Sequence, residues 1–253
     1  MKLEYVPLLA KQRELYGLPG GAERFQEYLR TMIDPKTSDL RLPLSATNPM
    51  SKDHAPRLLD ALAAIGADEV GAQAAAEADA VVAEVPGEFR VGLVVSDDAG
   101  GGWTNRAAAE LAHRRGEQAL LKRRWITGIL WTSQKYDRAE IREEILTSVF
   151  RAATIARRGR ARSLRELLVQ EGNAMRMAGA RNPALEPHTL LATRQILFRL
   201  LDHDDMPTLV AAVFGDAAAR ELGYPPLGLR SRAGLALALH GRLEPRRKRE
   251  SRP

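Results

Sequence analysis

Apolar residues recur every three to four positions along most of this chain, and two short stretches break that rhythm. Residues 5–33 read as helix with interruptions. Tyr5, Leu8, Leu9 and Gln12 lead into a glycine- and proline-rich break at 15–21, and Phe25, Tyr28, Leu29 and Met32 then share one face. Residues 34–49 read as a loop with a short strand at 40–44. Two helices follow. Ser51 is the expected cap of the first, which turns Ala55, Leu58, Leu59 and Leu62 inward. The second starts near Ala67, with Asp68 and Glu69 where negative charge suits a helix start.

The rhythm breaks at 89–96, Phe-Arg-Val-Gly-Leu-Val-Val-Ser, and again at 125–132, Trp-Ile-Thr-Gly-Ile-Leu-Trp-Thr. Both are short, apolar on successive residues and rich in β-branched side chains, as buried strands are. A helical pattern with Ala108, Leu111 and Ala112 inward separates them. Strand, helix, strand over this length is a βαβ unit, so the two strands are expected to be parallel. The C-terminal half reads as helical. Asp137…Glu140 and Ser163…Glu166 have capping-box spacing, and further helices are expected at 188–201, 207–222 and 233–239. The fold class is therefore a helix-rich α/β chain, with a small parallel sheet of two or three strands among many helices. One globular domain over 1–241 and a basic, disordered tail over 242–253 are expected.

Composition narrows the chemistry. The 253 residues include no cysteine, which removes disulfides, thiolate metal sites and a cysteine nucleophile together. No stretch approaches the roughly 18 apolar residues of a membrane helix. A membrane partner is thus not expected, and the cytoplasm is the expected location. The net charge is +6, but six basic residues against two acidic ones in 242–253 supply most of it. Within the body, 53–98 holds ten acidic and two basic residues, whereas 99–166 holds fifteen basic and seven acidic. Opposed blocks of this kind pair with each other or leave a basic surface for anions.

The strongest candidate site is Ser96-Asp-Asp-Ala-Gly-Gly-Gly-Trp-Thr-Asn-Arg106, where a strand hands over to a helix. Gly100, Gly101 and Gly102 let backbone N–H groups approach a ligand, and the helix start that follows favours an anion. Thr104 and Asn105 add polar side chains and Arg106 a guanidinium fork. Asp97 and Asp98 are the catalytic candidates, as acid or base. The spacing matches neither the Walker loop nor the dinucleotide glycine pattern, and a glycine turn capped by Thr104 or Asn105 explains the same residues. The second strand ends on Thr132 and Ser133. Ligands of parallel sheets bind outside the carboxyl ends of the strands, so these residues are expected to converge, with Trp103 and Trp131 as flat walls.

Other clusters have simpler explanations. Asp202-His-Asp-Asp205 resembles a metal set, but a helix cap accounts for it. Gln170-Glu-Gly-Asn173 marks either close helix packing or polar groups in a pocket. The five histidines lack ligand spacing, and no Gly-x-Ser-x-Gly elbow occurs. No metal set and no cofactor is assigned. The expected function is binding, with turnover as its extension, of a small anionic or phosphorylated ligand at the two strand ends. The alternatives are a nucleic-acid-binding accessory using 157–162 and the basic tail, or a helical protein-interaction scaffold.

Overall fold

The two unbroken apolar runs are strands and lie side by side in parallel. The computed structural model describes residues 1–99, 104–116 and 121–241. Its described residues fall into two compact units, Met1–Arg160 and Ala161–Pro253. The first holds β1 (Lys2–Tyr5), α1 (Leu8–Tyr16), α2 (Ala22–Met32), α3 (His54–Ala64), α4 (Ala67–Val82), β2 (Glu88–Ser96), α5 (Arg106–Gly116), β3 (Trp125–Trp131) and α6 (Arg138–Arg158). The sheet runs in the order β1-β2-β3, parallel throughout, with Leu93 opposite Gly128 and Ser96 opposite Trp131. The chain is thus helix-rich α/β with a small parallel sheet, as its periodicities predict.

The third strand, β1, is a departure from the expected helix at residue 5. Only four residues long, it alternates exposed Lys2 and Glu4 with Leu3 and Tyr5, too short a run for its period to stand out. One face of the sheet carries Val94 and Trp125, which pack with Leu8 and Leu15 of α1, Tyr28 of α2 and Leu44. The other carries Tyr5, Leu93 and Gly128. It is covered by α4 and α6. There Tyr5 lies over Gly71 and donates to Asp68 at 2.7 Å.

Side chains occupy part of both sheet edges. On β1, Leu3 N–H donates to Asp79 at 2.7 Å. On β3, Ile129 N–H donates to Glu144 at 3.1 Å, Trp131 N–H donates to the Tyr136 hydroxyl at 2.6 Å, and His113 Nε2 lies 3.1 Å from the Thr127 carbonyl. Exposed edges invite pairing with other chains, and these bonds occupy part of each edge. Burial pushes the Glu144 carboxyl up, against the pull of the Arg151 and Arg114 charges and the Ile129 N–H.

Two other expectations are corrected in this unit. The strand at 40–44 is reduced to one bridge, Ile33 to Leu40, followed by a single 3-10 turn at Leu44–Ala46. Ser51 does not cap α3. That helix starts at His54 behind Asp53, and the Ser51 hydroxyl is drawn to Asp97 instead.

The second unit holds α7 (Leu164–Ala178), α8 (Pro187–Phe198), α9 (Met206–Phe214), α10 (Asp216–Glu221) and α11 (Ala233–Leu239). The single helix expected at 207–222 is two, broken at Gly215. All seven residues of α11 are buried. The helix α7 approaches it so closely at Gly172 that a Cβ there would overlap the Ala238 carbonyl, so the polar Gln170–Asn173 interruption marks helix packing. Arg176 then donates to the carbonyls of Ala238 and Leu239 at the α11 C-terminus. Asp205 caps α9 by accepting from Thr208 N–H at 2.9 Å, which accounts for its place in the acidic cluster. Asp216 accepts from the N–H groups of Leu227, Gly228 and Leu229 and so pins that loop. No helix of the described residues is long and apolar enough to cross a membrane.

Candidate functional site

Because β1 ends early, the carboxyl-terminal half of β2 has no strand on one side. Gln12 of α1 takes its place. Its buried side chain accepts from Val95 N–H at 2.7 Å and donates to Val95 O at 2.9 Å, a two-bond pairing that a strand would otherwise make. The same amide reaches Thr47 Oγ1 at 2.5 Å. Tyr16, one helical turn on, donates to Asn48 O at 2.5 Å, and burial pushes its phenol up to about 12. Through these two residues α1 fixes the segment 47–51 against the end of β2.

Asp97 stands at that end, 3% exposed, and is the hub of the cluster. Its Oδ2 accepts from Asn48 Nδ2 at 3.1 Å and from the Ser51 hydroxyl. Its Oδ1 accepts from Thr132 Oγ1 at 3.0 Å and Ala99 N–H at 3.2 Å, and lies 2.7 Å from His54 Nε2. Burial alone would raise this carboxyl. The bonds from Ser51, His54, Thr132 and Ala99 outweigh it and hold Asp97 below the usual carboxylate range. An ionised carboxylate only accepts, so His54 Nε2 carries the proton in that bond. In the neutral ring Nδ1 is then unprotonated, the form of an oriented proton acceptor. The His54 side chain is 22% exposed, whereas its partner is sealed. Ser51 and His54 share Asp97 as their partner. The serine proton is therefore committed to a carboxylate, and Ser51 positions Asp97 rather than attacking a substrate.

Asp98 turns the other way. Its carboxylate accepts from Ser133 N–H at 2.9 Å and Ser133 Oγ at 2.6 Å, and lies 3.2 Å from Thr132 Oγ1, whose one proton goes to Asp97. Arg106, the first residue of α5, pairs with Glu110 at 2.8 Å and stands 3.6 Å from Asp98. Its guanidinium lies over the ring of Trp131, 5.3 Å from the centroid, and Trp131 is itself buried. Arg106 thus ties the start of α5 to the end of β3. Asn105 caps α5 by accepting from Ala108 N–H at 3.0 Å, and Thr104 is partly buried just before it.

No family model, curated protein or solved structure matches this chain.

Asp97, Asp98, Thr132 and Ser133 therefore stand together, with Arg106 beside them. Gly100, Gly101, Gly102 and Trp103 lie outside the described residues, as does the basic tail. Among the described residues no group of three or more histidine, aspartate and glutamate side chains is set to hold a metal ion. Sequence reasoning missed Asn48, Ser51 and His54. They recur at every third position, Asn-Pro-Met-Ser-Lys-Asp-His, and that spacing is the only sequence signal they give.

Proposed function

We propose that the carboxyl ends of β2 and β3 bind, and turn over, a small anionic or phosphorylated ligand, with His54 as the proton acceptor. The His54–Asp97 pair carries this reading: a partly exposed imidazole is oriented by a buried, ionised carboxylate that four other donors already hold in place. Asp97 is then a positioning group rather than the acid or base itself. The positive end of α5 offers attraction for an anionic group beside the strand ends. Arg106 contributes less than a free arginine would, because Glu110 and Asp98 share its charge.

A thermal-shift screen with nucleotides, sugar phosphates and carboxylates tests this reading. A ligand at 100 times its dissociation constant adds about 2.7 kcal/mol, which raises the melting point of a chain this size by about 5–10 °C. The expected result is a shift with one ligand class that disappears in His54→Ala. A screen with no shift, or a shift that survives His54→Ala, overturns the reading.

A further inference from the structure

The amino-terminal ends of β2 and β3 meet the last turn of α6 at a cavity of about 540 Å³, within the range of small-molecule sites. Its lining is apolar at Val85, Pro86, Leu121, Ile155 and Ala156 and cationic at Lys122 and Arg124. Among the described residues no carboxylate takes part in it. The seven residues of β3, about 23 Å of strand, separate Arg124 from Thr132, so this cavity is distinct from the carboxyl-end cluster.

Three observations single out Arg124. Its backbone sits at φ +60°, a left-handed conformation that side chains other than glycine rarely adopt. Gly87, itself part of the lining, stands where any Cβ would overlap Arg124 Nη1, so that nitrogen lies against the cavity wall. The Phe89 ring backs the guanidinium, 5.1 Å from its centroid. None of these neighbours accepts a hydrogen bond from it. The Gly87 carbonyl takes Lys2 N–H at 2.9 Å, and neither Arg124 nor Lys122 has a hydrogen-bond acceptor or carboxylate partner among the described residues. The neighbouring Arg123 contrasts with them, since it is bound to Asp39 at 2.7 Å. The acids nearest in sequence to Val85 and Gly87 are paired with cations outside the lining, Glu84 with Arg157 at 3.4 Å and Glu88 with Lys2 at 3.2 Å. The lining therefore keeps its positive charge.

A guanidinium backed by a ring keeps its N–H rim for an acceptor, and one such fork matches one carboxylate through two parallel bonds. The apolar lining beside it shields a hydrocarbon chain from water. We infer that this cavity binds a carboxylic acid with an apolar chain, its carboxylate on Arg124 with Lys122 adding attraction, and its chain over Pro86, Leu121 and Ala156.

Calorimetric titration of the full chain with octanoate tests the inference. Saturable binding is expected, weakened about tenfold or more in Arg124→Gln, which removes the fork. Ala156→Trp fills the chain's place from the opposite wall and should weaken binding as strongly. Both residues are exposed, so their replacement leaves the core intact, and unchanged melting points check this. Octan-1-ol, the same chain without the charge, should bind at least tenfold more weakly than octanoate. Binding should persist in His54→Ala, which separates this site from the carboxyl-end one. Absence of saturable binding, binding unchanged in Arg124→Gln or in Ala156→Trp, equal binding of octan-1-ol, or loss in His54→Ala overturns the inference.

Discussion

Asp97 carries more of the first unit than its single charge suggests, because it is buried and receives donors from the 48–51 loop, the start of α3, the turn after β3 and Ala99 N–H. Its carboxyl is held below the ordinary value, so it stabilises the folded state fully above about pH 4 and loses that contribution as pH falls through its lower folded value. Asp97→Asn keeps the shape but loses the charge-assisted bonds. Urea unfolding at pH 7 should show a loss of about 2 kcal/mol. The variant's stability should also fall less than the wild type's between pH 5 and pH 2. A variant with the wild-type slope would show that Asp97 is not the group that titrates. At this scale the sequence displayed Asp97, Asp98, Thr132 and Ser133, because all four follow directly from where two apolar runs stop. It did not display Gln12, Asn48, Ser51 and His54. Their roles depend on α1 and the 47–51 segment returning to β2, which local pattern does not encode. Ser51 even has a valid local role as a cap, and the pull of a buried carboxylate overrides it.

Among the elements, two substitutions have signs that local propensity alone would misjudge. Gly172 lies inside α7, where alanine ordinarily favours a helix by about 1 kcal/mol. Here the new methyl would meet the Ala238 carbonyl of a fully buried helix. Gly172→Ala should therefore destabilise the chain, by about 2 kcal/mol, in a denaturant titration. A neutral or stabilising effect would mean that α7 and α11 are not in such close contact. Tyr136→Phe removes the acceptor that closes the β3 edge at Trp131 and should cost about 1–2 kcal/mol in the same assay. Long, strongly periodic elements were readable from sequence: α4, β2, β3 and α6 lie close to where their apolar patterns end. The four-residue β1 was not, and neither was the break at Gly215. Its neighbours keep one apolar rhythm across two helices, so the pattern conceals the turn.

At the scale of the whole molecule, the first unit sets three strands in parallel and so puts all their carboxyl ends on one edge of the sheet. That edge gathers Asp97, Asp98, Thr132, Ser133 and His54. The proposed function depends on His54 presenting a bare Nδ1 while Asp97 holds Nε2–H. Long-range proton–nitrogen NMR of the histidine ring at pH 7.5, assigned with His54→Ala, measures this directly. The expected spectrum is an Nε2–H imidazole with unprotonated Nδ1 in the wild type, lost or mixed in Asp97→Asn. An Nδ1–H ring, or the same spectrum in both proteins, would contradict the Asp97–His54 pair and the function proposed from it.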